Sequence, residues 1–202
     1  DLKEKLHWLP MDYIDYLRFW HPREEDIIVS EDAECGLNIH FAGTNLNVSP
    51  YETPVMAIIT ETHYRMSGHY DEMFEEFKQN VENELSKITE EVYKLGTFSE
   101  FGFRRRLSGE AQDYFLKRFT EEKAKHKTGA IQGFVGTSNV YYAIKYNTVA
   151  VGTMAHEFGL LCGQGYPERN PAYTNKFLLE SWVKEYGIKN GIALTDTIGT
   201  PA

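Results

Sequence analysis

Four short stretches of this sequence gather residue types that can do chemistry: Arg104-Arg105-Arg106, Gly136-Thr137-Ser138-Asn139, Gly152-Thr153-Met154-Ala155-His156-Glu157 and Thr195-Asp196-Thr197. Guanidinium groups stay charged and grip phosphate or carboxylate in a two-pronged geometry. Three in a row, in a chain of net charge -9, point to an anion site. The other reading is a cluster paired with Glu100, Glu110 or the helix that follows, and the arginines alone leave both open. On a strand, neighbouring arginines face opposite ways, so two at most would share a site. His156 can serve as base, metal ligand, nucleophile or hydrogen-bonded structural group. His156-Glu157 is not a zinc signature, because Leu160 stands where a second histidine is needed. His63 and His69 are too poorly spaced for a metal and read as structural or surface groups, so no metal site is expected. The Gly133 to Ser138 segment lacks the lysine and spacing of a phosphate loop. Its glycines are expected to permit a tight turn that exposes backbone N–H groups.

These residues need elements to position them. Leu6, Leu9, Tyr13, Leu17 and Trp20 recur at helical spacing and predict a helix over residues 2–20, stopped by His21-Pro22. Ile27 to Val29 and Leu37 to Phe41 are short and β-like. Thr53-Pro54 is read as a cap with proline in the first helical position. From Asp71, the stripe Phe74, Phe77, Val81, Leu85, Ile88, Val92 and Leu95 predicts a long helix closed by Gly96. After Gly96, strands expected at Thr97 to Arg104, Ile131 to Gly136, Val149 to Thr153 and Gly191 to Thr195 alternate with helices at Gly109 to Lys125 and from Asn170-Pro171 to Gly187. That alternation implies an α/β domain with a parallel sheet, ligands lying at the carboxyl ends of its strands. Each of the four chemical stretches falls at such an end. The expected division is therefore an N-terminal α+β region, 1–95, and opening βα units over 96–202.

The chain has 202 residues, 42% hydrophobic and 25% charged, enough for a substantial core. Thirty acidic against 21 basic side chains argue against broad nucleic-acid or anionic-membrane binding. Cys35 and Cys162 cannot build a disulfide framework and are expected in the core. The longest apolar run, Val55 to Ile59, is far short of a membrane span. With no secretory pattern at the start, a cytoplasmic location is the expectation. The opening at Asp1, inside a charged segment, suggests a fragment.

Taken in order, Phe101-Gly102-Phe103-Arg104-Arg105-Arg106, Val135 to Asn139, Gly152 to Glu157 and Ala193-Leu194-Thr195-Asp196-Thr197 resemble successive motifs of the nicotinate phosphoribosyltransferase family. Trp8 to Phe19 and Pro54 to Tyr64 also fit its N-terminal half, so the resemblance spans nearly the whole chain. It implies an N-terminal α+β part followed by the first half of a type II phosphoribosyltransferase α/β barrel. The family joins nicotinate to phosphoribosyl pyrophosphate, giving nicotinate mononucleotide and pyrophosphate in NAD biosynthesis, with ATP hydrolysis coupled to the step.

By the same resemblance, His156 matches the histidine phosphorylated by ATP, and Asp196 a carboxylate that fixes its tautomer. Arg104, Arg105 and Arg106 fall where substrate phosphates are held. Phe101 sits where the related nicotinamide enzymes stack the pyridine ring, Ser138 and Asn139 would line that pocket, Thr137 would belong to the substrate-binding set, and Glu157 would support His156. ATP would bring Mg2+, whose ligands the motifs do not identify, and the family implies a homodimer. Phe103, Met154 and Phe158 stand where the family carries Thr, Gln and Trp, changes that remove no reactive group. The family's opening Asp-Thr-Asp-Tyr-Lys-like segment and everything after the fourth strand are missing. A closed barrel takes about 200 residues or more, so the chain alone is expected to be inactive. The rival readings are a nicotinamide phosphoribosyltransferase and a truncated, non-catalytic paralogue used for binding or assembly.

Overall fold

A computed structural model describes residues 6–7, 9–34, 36–90, 96–165, 174–187 and 192–194. The chain divides into two compact units, one of residues 1–5 and 9–150, the other of residues 6–8 and 151–202.

In the first unit, helix α1 spans Met11–Phe19; Leu9 and Pro10, which the apolar spacing placed inside it, are not helical, and residues 2–5 and 8 of the expected helix lie outside the described residues. Pro10 is the reason. It has no N–H and its ring blocks the preceding turn, so it cannot sit inside a helix; it caps α1 instead, its carbonyl accepting from Ile14 N at 3.2 Å. His21-Pro22 ends the helix as expected, Trp20 being already extended at ψ 131°. Strands β1 (Ile27–Asp32) and β2 (Gly36–Phe41) form an antiparallel hairpin, registered from Ile27 opposite Phe41 to Asp32 opposite Gly36. Helix α2 (Glu52–Met66) begins one residue before Thr53, so Thr53 does not cap it and Pro54 is its third residue. A first-turn proline is still tolerated there, because N–H groups of that turn lack intrahelical partners.

Helix α3 spans Tyr70–Glu90; its expected last turn, residues 91–95, lies outside the described residues. Helix α4 spans Gly109–Lys125, as its apolar face predicted. Ser108 opens it, fully buried, its Oγ accepting from Ala111 N at 3.0 Å and from the Tyr70 hydroxyl at 2.6 Å. The apolar faces of α3 and α4 meet in the core: Val81, Leu85, Leu116, Phe119, Ile131, Phe134 and Tyr142. Beside it, Arg118 grips Glu82 with two bonds, Nε to Oε1 at 2.6 Å and Nη2 to Oε2 at 2.8 Å. Those bonds, helped by Tyr114, pull the Glu82 carboxyl down to about 2 against the cost of its partial burial.

A parallel sheet in the order β3-β4-β5 flanks this core, formed by Phe98–Glu100, Phe134–Thr137 and Val149–Ala150. All three strands are shorter than predicted. The first stops at Glu100 because Phe103–Arg105 is a 3-10 turn, closed by Arg105 N donating to Gly102 O at 3.0 Å. Ala130–Gly133 is likewise a 3-10 turn, and the third strand ends at Ala150. Gly136 proves to be a strand residue rather than a turn: a Cβ there would stand 2.0 Å from Val149 O. Helix α5 (Val140–Lys145), which the sequence reading missed, is capped by Asn139 Oδ1 accepting from Tyr141 N at 3.1 Å.

In the second unit, α6 (His156–Gly165), also missed, packs against α7 (Thr174–Tyr186). Gly187 ends α7 as expected, at φ 58°. Asn170-Pro171, its expected start, lies outside the described residues. So do Gly191 and Thr195, the expected limits of the fourth strand; Ile192 to Leu194 between them pair in no strand, although Ile192 O accepts from Met154 N at 3.0 Å. Cys35 and the Cys162 side chain are likewise outside what is described. Among the described residues, no helix is long and apolar enough to cross a membrane.

Candidate functional site

The carboxyl ends of β3 and β4 are joined by side chains rather than left open. Ser138 N donates to Glu100 O at 2.9 Å. Thr137, fully buried, donates its hydroxyl to Glu100 Oε2 at 2.5 Å and accepts from Asn139 N at 3.0 Å. Gln112, in the first turn of α4 and only 4% exposed, reaches the same carboxylate, Nε2 donating to Oε2 at 2.8 Å. Its Oε1 accepts from Arg106 Nη1 at 2.9 Å and from Asn139 Nδ2 at 3.0 Å. The other Glu100 oxygen accepts from Gly102 N, holding the turn that follows β3.

The arginines do not alternate across a strand. At about three residues per turn, the 3-10 geometry of Phe103–Arg105 sends the Arg104 and Arg105 side chains about 120° apart, and Arg106 follows in extended backbone. Arg104 pairs with Glu52 of α2 at 2.5 Å, so the structural alternative considered for the cluster holds for this residue, with a different partner. Arg105 is exposed. Arg106 is half-buried, lies over the Phe103 ring with its Cζ 4.9 Å from the centroid, and binds Gln112. Its Nε is buried and has no hydrogen-bond partner among the described residues. Arg105, Arg106, Glu100 and Gln112 share one wall of a cavity of about 550 Å3, whose apolar side includes Phe77 and Phe115. That volume suits a small organic ligand.

The structure therefore brings Thr137, Asn139 and Arg106 together around Glu100 and Gln112. Ser138 is half-buried beside them and Phe101 is 49% exposed. Arg104 turns to α2. His156 and Glu157 open α6 in the second unit, His156 exposed and Glu157 half-buried. Asp196 lies outside the described residues. Glu100 and Gln112 escaped the sequence reading as site residues. The usable signal was Gln112 itself, a polar residue in line with Leu116 and Phe119 on the buried stripe of α4.

The chain has the mixed α/β fold of a type II phosphoribosyltransferase, in part. A solved nicotinate phosphoribosyltransferase from Porphyromonas gingivalis superposes with a TM-score of 0.77 at 32% identity, over 98% of this chain and 48% of that one. A structure described as a putative nicotinate phosphoribosyltransferase from Saccharomyces cerevisiae gives 0.79 at 29% identity, over 98% and 49%. The family model for nicotinate phosphoribosyltransferase matches residues 97–202, and the chain belongs to that family. Curated relatives named nicotinate phosphoribosyltransferase include one from Ralstonia nicotianae, 30% identical over 100% of this chain and 50% of its own length. The Saccharomyces cerevisiae relative is 32% identical over 95% and 46%. The chain thus spans about half the length of the curated relatives it matches.

Proposed function

We propose that these residues form part of an enzyme that joins nicotinate to phosphoribosyl pyrophosphate, releasing nicotinate mononucleotide and pyrophosphate while ATP is hydrolysed. The observation that carries this reading is the pair of parallel strand ends cross-linked by Glu100 and Gln112, beside a half-buried arginine with an unpartnered Nε. An anionic oxygen of phosphoribosyl pyrophosphate would complete that donor set, and a prearranged guanidinium would stabilise charge growing on the departing pyrophosphate. Phe101 would stack on the pyridine ring, with Thr137, Ser138 and Asn139 bordering it. Arg104 and Arg105 would meet phosphate oxygens at the rim, Arg104 after leaving Glu52.

In this reading, His156 is the nucleophile toward ATP: an imidazole nitrogen bonds the γ-phosphorus, the bond to the ADP oxygen breaks, and water later releases phosphate. Its place at the start of α6 suits that step, because the positive helix end favours the phosphoryl charge. Asp196 would fix the imidazole tautomer, and Glu157 would support the ring. Any Mg2+ would arrive with the nucleotide; the described residues gather no group of three His, Cys, Asp or Glu able to hold a metal ion. The whole enzyme would act as a homodimer in the cytoplasm. A nicotinate-dependent ATPase assay on the whole protein carrying this sequence tests the reading. Stimulation by nicotinate supports it, stimulation by nicotinamide alone replaces it with the sister activity, and no hydrolysis leaves a binding module.

A further inference from the structure

We propose that Gln112 is a positioning residue for Arg106: by fixing one guanidinium nitrogen, it directs the remaining donors to a ligand phosphate. The proposal rests on the function proposed above. A glutamine amide has an acceptor end and a donor end, and its neighbours decide which way it faces. Here Glu100 takes the donor end at 2.8 Å, so the acceptor end must face Arg106 Nη1 and Asn139 Nδ2. Glu100 is in turn held by the Thr137 hydroxyl and Gly102 N, on both sides of the sheet end. One amide thereby ties the turn after β3, the start of α4 and the cap of α5 to a single geometry.

Two features separate this from packing alone. Gln112 is 4% exposed, yet its side-chain bonds go to Glu100, Arg106 and Asn139 at or beside the strand ends. Arg106 Nε is buried with no hydrogen-bond partner among the described residues, and such a donor is costly to leave unmet. Gln112 and Arg106 also line the same cavity of about 550 Å3. An anionic oxygen bound to Arg106 would meet the unsatisfied donor while Nη1 stays on Gln112.

The test is binding of phosphoribosyl pyrophosphate to the whole protein carrying this sequence by calorimetry, with melting temperatures measured in parallel. Gln112→Ala should weaken binding about tenfold, the loss expected when a charged hydrogen-bonding group is no longer held. In an Arg106→Ala background, Gln112→Ala should cause no further loss, because its effect passes through that guanidinium. Unchanged affinity in Gln112→Ala, or losses that add, would overturn the proposal. Gln112→Glu supplies a readout independent of folding defects. Ionised, it repels Glu100; protonated, it restores a donor toward Glu100 and an acceptor toward Arg106. Its affinity relative to wild type should therefore recover as pH falls from about 8 to about 5, and a flat ratio counts against positioning. If the wild-type whole protein binds no phosphoribosyl pyrophosphate, the proposed function fails. Positioning is then decided by 15N spectra: Gln112→Ala should free the Asn139 side-chain amide and the Arg106 Nη1–H groups to exchange, and unaltered signals would refute it.

Discussion

At the scale of single residues, what an atom touches decides its consequence more than its type does. Gly136 was read as a turn-former, but its hydrogen faces the backbone of Val149 across the sheet. Gly136→Ala must push β4 from β5 or leave the chain unfolded. We expect a loss of about 2 kcal/mol or more in urea unfolding, at the upper range of overpacking because the obstacle is main chain. His156 carries a different prediction. In the whole enzyme, His156→Ala should abolish ATP hydrolysis and the ATP-driven gain in product, yet spare a slow ATP-independent reaction. The nicotinate ring nitrogen is a free nucleophile at neutral pH, so bond formation at the ribose needs no base. Both rates, with acid-labile phosphate measured on wild type, decide it; equal loss of both with no phosphoenzyme would refute the mechanism.

Among the elements, long ones with a clear stripe were legible and short ones were not. Helix α4 was read to its ends from its stripe of Ala111, Tyr114, Phe115 and Phe119, and the structure adds Ser108 as the cap that fixes its start. Helix α1 was read too long because periodicity outweighed Pro10, whose covalent geometry is the stronger constraint. The three parallel strands were found but overextended, since their limits come from contacts between distant residues: Glu100 with Gly102 and Thr137, Gly136 with Val149. Helix α5 has too few residues to repeat a pattern, and α6 carries Gly159, Gly163 and Gly165, poor helix formers that mask its signal. The same limit hid Glu100 and Gln112, whose partnership spans twelve positions and exists only once β3 and α4 are in place. The Glu82–Arg118 clamp between α3 and α4 has its own pH signature. The folded Glu82 titrates near 2, below its ordinary range. Its contribution is therefore present above about pH 4.5 and is lost as pH falls toward 2. Because Glu82 is 42% exposed, solvent screening limits the effect to about 1 kcal/mol or less. Wild type and Glu82→Gln should differ in urea midpoint at pH 7 and converge near the acid end; a gap independent of pH would show that the charge contributes nothing.

For the molecule as a whole, the sheet β3-β4-β5 has no further strand beside β3 or β5 among the described residues. Phe19 and Met66 are each 81% exposed, and Ile28, Val29 and Leu37 of the hairpin are each more than half exposed. Unpaired strand edges with exposed apolar groups invite association. We expect the 202-residue chain to bind a hydrophobic dye and to self-associate with rising concentration in sedimentation. A monomer that ignores the dye would mean that these surfaces are covered. The core residues Val81 to Tyr142 all lie within the unit that ends at Ala150, so residues 1–150 expressed alone should retain one cooperative unfolding transition.

The 3-10 turn at Phe103–Arg105 makes loop length a stricter constraint than charge. With Arg104 and Arg105 set about a third of a revolution apart and Arg106 following in extended backbone, one inserted residue before Arg104 would hand each arginine its neighbour's heading. The guanidinium now facing Gln112 would swing away, while the count of positive charges stayed the same. Substitutions here are read one at a time, but a single insertion rewrites all three assignments at once. Evolutionary drift in this segment should therefore tolerate altered letters more readily than altered spacing, as a combination lock tolerates worn numerals but not a slipped wheel.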